Sequence, residues 1–323
     1  MNLKYPNCKS IPMMAHLKLD GIIPQDTTED SMRAIRLKNL HELDKDVSDL
    51  TEYKIPHIIH MVWVTDKNRP NEIEDKYLQI LQNNLRLLST NKNVNWEFML
   101  WVNDPNLIPH TINSLSPFGV NVRSIAELIT EQDLLNKVYE LIDNKYYALA
   151  SNSIRYSALR EHGGIYMDTD YELFKAPYKL MKIFDFVAGH IHAPPVSMCP
   201  ENNMIMAKPH HPILEEMISL LKINLLDFEH ASEPVKHACN VRHETALLGG
   251  SRVICPSYFK KANQDGNVDV VFEDKVMTDD WRYEVIGTIP DDPYSQDYNS
   301  TNLPLFGRDH YAGRWIPGEE MQT

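Results

Sequence analysis

Residues 146–170 read Tyr146-Tyr147-Ala148-Leu149-Ala150-Ser151-Asn152-Ser153-Ile154-Arg155-Tyr156-Ser157-Ala158-Leu159-Arg160-Glu161-His162-Gly163-Gly164-Ile165-Tyr166-Met167-Asp168-Thr169-Asp170. The first part is free of Pro and Gly and predicts a helix over 146–162, which Gly163-Gly164 ends as a C-cap. Ile165-Tyr166-Met167 is then a short buried strand that stops at Asp168. A helix, a glycine turn and a strand ending in two carboxylates form a unit of an α/β fold. Open α/β sheets hold ligands at the ends of their strands. Successive strand residues alternate faces, so Asp168 and Asp170 are expected to point the same way. Two carboxylates on one side attract a hard divalent cation, Mg²⁺ or Mn²⁺. Asn152 and Arg155, three apart, share a face of the helix. Asn donates and accepts at a base or sugar edge, and Arg forks onto phosphate or a sugar hydroxyl; alternatively Arg155 pairs with Glu161 or an Asp.

The same alternation extends on both sides. Ile58-Ile59-His60-Met61-Val62-Trp63-Val64 predicts a first strand, and Tyr77, Ile80, Leu81, Leu85 and Leu88 mark a helix. Trp96 to Trp101 predicts a second strand, and residues 124–143 a further helix. Phe184–Ala188 and Met204–Ala207 read as strands, Pro212–Leu226 as a helix, and 260–323 as loops with short strands. The expectation is a mainly parallel sheet. Before it, Met32, Ile35, Leu40, Leu43, Val47 and Leu50 form one apolar stripe, expected as a helix docked on the body.

Composition limits the partners. The 323 residues carry a net charge of −13, are 43% hydrophobic and include 12 Gly. That charge disfavours nucleic acid and anionic lipid. Cys8, Cys199, Cys239 and Cys255 have no metal-ligand spacing, which suits a reducing compartment. No signal-peptide pattern and no apolar run long enough to span a bilayer stand out. A second D-x-D, Asp44-Lys45-Asp46, falls in the charged preface and reads as solvated surface.

The stretch Ala150–Leu159 with Gly163–Asp170 resembles the DXD sugar-binding region shared by the yeast initiating mannosyltransferases, the clostridial glucosylating toxins and related bacterial effectors. Ile55-Pro56-His57-Ile58-Ile59-His60-Met61-Val62-Trp63 is similar to that family's first strand, and Asn203–Pro212 to its segment ending in His-Pro. The resemblance implies a GT-A (Rossmann-like) fold; with the helical N-terminal preface read from the apolar stripe, the chain divides as 1–54 and 55–323. It implies retaining transfer from a nucleotide-sugar donor to a protein or saccharide hydroxyl. Toxin-like relatives favour UDP-glucose or UDP-GlcNAc, and yeast-like relatives GDP-mannose.

Residue by residue, the resemblance sets Trp63 near the base, Asn152 and Arg155 at the sugar, Asp168 and Asp170 at ribose, metal and diphosphate, and Asn203 and Trp315 among the donor-binding residues. Mn²⁺ or Mg²⁺ is implied, with Asp168, Asp170 and, in a tail reading His310-Tyr311-Ala312-Gly313-Arg314-Trp315, His310 as ligands. Glu244, near Gly249-Gly250, falls where relatives face the acceptor. Two departures stand out: Asn152 replaces the family's acid, and the tail lacks its Ser. Bacterial cytoplasm or delivery into a host cell follows as the expected location. The competing readings are an inactive nucleotide-sugar binding module and a metal-dependent phosphoester hydrolase.

Overall fold

The computed structural model describes residues 12–191, 199–238, 248–272, 279–280 and 307–310. The chain runs α1 (Met13–Leu19), α2 (Glu29–Arg36), β1 (Ile58–Trp63), α3 (Asp75–Leu88), β2 (Glu97–Val102), α4 (Pro109–Leu115), β3 (Val120–Ser124), α5 (Ile125–Leu128), α6 (Gln132–Asp143), α7 (Tyr147–His162) and β4 (Gly164–Met167). It continues β5 (Tyr171–Leu173), α8 (Tyr178–Ile183), β6 (Phe186–Ile191), β7 (Cys199–Ala207), α9 (Pro212–Leu226), α10 (Glu233–Ala238), α11 (Ser251–Lys261), β8 (Asp269–Phe272), β9 (Asp279–Asp280) and β10 (Gly307–Asp309).

Seven strands form the main sheet in the order β3-β2-β1-β4-β7-β6-β8. The pairs β3–β2, β2–β1, β1–β4 and β6–β8 are parallel, while β7 runs antiparallel to both β4 and β6. A small second sheet, β5-β10-β9, follows the end of β4.

The period of two along each strand sorts the core into two layers. Ile59, Met61, Phe98, Leu100, Ile165, Met167, Met204 and Met206 face α3, α4 and α8. Their alternates Val62, Met99, Trp101, Tyr166, Ile205 and Ala207 face α6, α7, α9 and α11. Helix α7 is buried nearly all round, through Leu149, Ala150, Ser153, Ile154, Tyr156, Ala158 and Leu159. Its small residues let it lie close to the sheet. Two hydroxyls, Ser153 on Leu149 O and Ser157 on Ser153 O, satisfy themselves within the helix.

The glycine pair does more than cap α7. Gly163 and Gly164 have φ of +64° and +102°. A Cβ on Gly163 would stand 2.6 Å from Pro209 Cδ, and one on Gly164 2.5 Å from Ile58 O. Only glycine lets α7 turn directly into a strand lying between β1 and β7.

The preface is helical in pieces, which corrects the single expected helix. Thr28 caps α2 through Ser31 N–H, and α2 ends at Leu37. Leu40–Asp44 is a 3₁₀ turn, and Val47 and Leu50 follow without helix. The break comes between Ile35 and Leu40, where Asn39 bonds Asn263 Oδ1 and Asp269 O at the edge strand β8. Met13, Leu17 and Met32 pack on Cys255 of α11, and Leu40, Leu43 and Val47 on the α3 layer. The expected helix over 124–143 is likewise two, because Ser124 and Glu127 form a capping box for α5 and the chain turns before α6. Several elements escaped the sequence reading: α4, the half-exposed edge strand β3, β5, α8, α10, and α11, whose Pro256 interrupts the helical pattern.

Candidate functional site

Asp168-Thr169-Asp170 lies beyond the C-terminal end of β4, at the edge of the sheet where β1 also ends in Trp63. It is a turn and not strand. Tyr171 N–H donates to Asp168 O at 3.0 Å, which sends the chain into β5. The two carboxylates are therefore neighbours through this turn, and the expected alternation along one strand is corrected.

Behind the turn, α7 supplies a buried base. The Arg155 guanidinium lies 3.1 Å from Asp168 Oδ1. It also donates to Asn202 O and Ser151 Oγ, and stacks 4.2 Å from the centre of the Tyr166 ring. Burial works against its charge, but Asp168, the tyrosines Tyr166 and Tyr156, and Asp170 outweigh it and strengthen its hold on the proton. Tyr166 donates its hydroxyl to Asp168 Oδ1. Burial, with the like charge of Asp170 added, lifts the Asp168 carboxyl to about 6 against the pull of Arg155.

Asn152 and Arg155 do share a face, and both converge on Asn202. Asn202 Nδ2 donates to Asn152 Oδ1 at 2.9 Å and to Tyr156 Oη at 3.0 Å. Gly249 lies against the same face of α7; a Cβ there would meet Leu149 Cδ1 at 2.6 Å and Asn152 Cβ at 3.1 Å.

Asn203 sits one step along β7. Its carbonyl accepts from Asp168 N–H at 2.8 Å. Its Nδ2 donates to Asp309 Oδ2 at 2.9 Å and to Glu201 Oε2 at 3.1 Å. Trp63 is partly buried and donates Nε1–H to Asn71 O at 2.7 Å, which folds the loop after β1 over the indole. His310 is brought to the turn, since its N–H donates to Asp170 O at 3.2 Å. Its ring, however, lies 2.9 Å from Glu172 Oε2. Asp168, Asp170 and His310 thus do not form a ligand trio. Among the described residues no three His, Cys, Asp or Glu side chains gather to hold a metal ion. Glu244, Arg314 and Trp315 lie outside the described residues.

Sequence reasoning missed Tyr166, Tyr156, Asn202, Glu201 and Asp309. Two of these carried a signal. Tyr166 is two residues before Asp168 along an extended strand, and Asn152 and Tyr156 are one helical turn apart. Asp309 carried none, being 106 residues from its partner Asn203.

Residues 75–186, which span α7 and the Asp168–Asp170 turn, match a family model described as "Glycosyltransferase sugar-binding region containing DXD motif". That region of the chain is similar to the sugar-binding region of DXD glycosyltransferases. No curated protein matches the sequence. The solved structure "PaToxG Glycosyltransferase" superposes with a TM-score of 0.50 at 15% identity, over 78% of this chain and 82% of that one. The UDP-bound glycosyltransferase domain of the YGT toxin gives 0.41 at 11%, covering 68% and 79%. Apo GlyE of Streptococcus pneumoniae TIGR4 gives 0.41 at 13%, covering 83% and 57%. The PaToxG likeness and the mostly parallel sheet agree on a GT-A-like fold.

Proposed function

We propose that this glycosyltransferase is metal-dependent and retaining, and moves a hexose or N-acetylhexosamine from a UDP-linked donor to a protein or saccharide hydroxyl. The observation that carries this reading is the paired carboxylate turn Asp168–Asp170 with a buried arginine fixed behind it. Such a turn is poorly served by protons alone. Burial and the neighbouring charge already push the Asp168 carboxyl up to about 6. A hard divalent cation takes carboxylate oxygens and offsets their charge, so the donor set fits Mn²⁺ or Mg²⁺. Asp168 and Asp170 are the residues that would hold it. When bound it supplies charge neutralisation for a departing diphosphate.

The chain's own residues do the rest. Arg155 and Tyr166 both grip Asp168 Oδ1, so the carboxylate is oriented before any donor arrives. Arg155 is 6% exposed, which makes it a support for Asp168 more than a direct clamp on the sugar. The Asn202 ladder holds Asn152 on the same wall of α7, the position for the sugar. Trp63 stands at the same end of the sheet and is available to flank the base. Glu244 and Trp315 are carried as acceptor-side and donor-closing residues on the resemblance alone. An effector type of transferase with a protein acceptor rests on the sequence resemblance to toxin-like relatives. No helix among the described residues is long and apolar enough to cross a membrane.

The test is a screen of UDP-glucose, UDP-GlcNAc and GDP-mannose for release of free nucleotide with Mn²⁺, with Mg²⁺ and with excess chelator. Metal-dependent release from one donor, lost in Asp170→Asn, is expected. Release that is unaffected by chelator removes the metal from the proposal, and no release from any donor overturns the transfer reading.

A further inference from the structure

Strand β10 is three residues long, yet it and the His310 that follows are tied to β5, to β7 and to the carboxylate turn. Gly307 lies so close to β5 that a Cβ there would stand 2.4 Å from Glu172 O and 2.5 Å from the Tyr171 ring. The main chain pairs Asp309 with Tyr171 and Arg308 with Glu172. His310 N–H then reaches Asp170 O at 3.2 Å. Between these anchors the Asp309 side chain turns inward, 4% exposed, and accepts from Asn203 Nδ2 at 2.9 Å.

Asn203 is itself 6% exposed and occupies a decisive place in the main sheet. The β4–β7 ladder ends at Met167 opposite Met204. The next link is Asp168 N–H to Asn203 O at 2.8 Å, and after it the chain leaves the sheet for the turn. The last link of a ladder is the one that frays. Here the residue that accepts it is pinned from its side chain by charge-assisted bonds to Asp309 and Glu201.

We propose that Asp309 is a positioning residue for Asp168, acting through Asn203. The C-terminal strand and the carboxylate turn thereby form one unit: Asp309 holds the Asn203 amide, and the Asn203 carbonyl holds the main chain of Asp168. Removing the Asp309 carboxylate takes one acceptor from a buried amide N–H and loosens the end of β7 that carries the Asp168 link. The consequence for donor turnover rests on the transferase reading. The geometry of the unit does not.

Hydrogen–deuterium exchange of the Tyr166–Glu172 segment tests it without donor or metal. In Asp309→Ala the Asp168 amide exchanges about tenfold faster or more, the factor for a lost charge-assisted bond, while Glu97–Val102 of β2 is unchanged. Asp309→Asn, whose amide oxygen accepts the same bond, restores slow exchange. Unchanged exchange at Asp168 in folded Asp309→Ala overturns the proposal. Should Asp309→Ala fail to fold, Asp309→Asn decides alone. Slow exchange with a parent-like Mn²⁺ requirement for nucleotide release supports positioning. A Mn²⁺ requirement raised about tenfold with exchange unchanged would instead make Asp309 a cation ligand. Nucleotide release by the unmodified protein runs alongside: its absence would fail the transferase reading and leave the exchange result to decide this one.

Discussion

Replacing Arg155 with Met keeps most of its volume and removes its charge. The guanidinium is 7% exposed in its side chain and 3.1 Å from Asp168 Oδ1, while the Asp168 side chain is 30% exposed. Breaking a buried pair by removing one partner costs about 3–5 kcal/mol. Because Asp168 keeps some contact with water, the lower end applies, about 3 kcal/mol. Unfolding entropy is about 2.1 cal/mol/K per residue, so for 323 residues a loss of about 3 kcal/mol lowers Tm by about 4 °C. Calorimetry or a urea titration reads this directly. The same variant in a cycle with Asp168→Asn should show a coupling of about 2 kcal/mol, well above the ~0.5 kcal/mol within which independent sites add. Two outcomes refute the reasoning. Additive single effects would mean that the pair does not interact across its 3.1 Å. An unchanged Tm with turnover abolished would move Arg155 from behind Asp168 to the donor itself.

Two further outcomes follow from the same structure. His60 is buried as a neutral ring, bonded through Nε2 to Gly163 O at 2.8 Å while Nδ1 accepts from Trp101 Nε1 at 3.1 Å, and burial lowers it from 6.5 to about 4. Below pH 6.5 the unfolded chain takes up a proton that the folded one refuses, so stability falls with pH between 6.5 and 4, by about 2 kcal/mol at pH 5; urea titrations of the parent and His60→Gln at pH 7 and pH 5 should differ by that amount, and parallel pH dependence would disprove it. Gly164→Ala combines a φ of +102° with a Cβ placed 2.5 Å from Ile58 O, a loss of about 3 kcal/mol or more from strain and overpacking together, and a urea midpoint within error of the parent would show that the β1–β4 contact can yield.

Local pattern reached far along this chain because its strongest signals are short-range. The short β-rich apolar runs in 58–63 and 97–102 and the glycine break at 163–164 needed only neighbouring residues to be read, and the structure places strands and turn there. The same holds for α7 and for α9, where His211 accepts from Ile213 N–H and Pro212 opens the helix. Reading stopped where a fold-level partner overrides local preference. The preface keeps an apolar stripe across 32–50, yet the chain breaks within it where Asn39 bonds Asp269, 230 residues away.

The site divides in the same way. The sequence by itself determined that two carboxylates end a buried strand and that Asn152 and Arg155 look from one helix face, because these are matters of spacing on one segment. Only the tertiary structure decided what those groups touch. It turned Arg155 onto Asp168, gave Asn152 to Asn202, sent the His310 ring to Glu172, and brought Asp309 to Asn203. Side-chain partners across β4, β7 and β10 are set by sheet register, and register is a property of the assembled sheet. No window along the chain contains it.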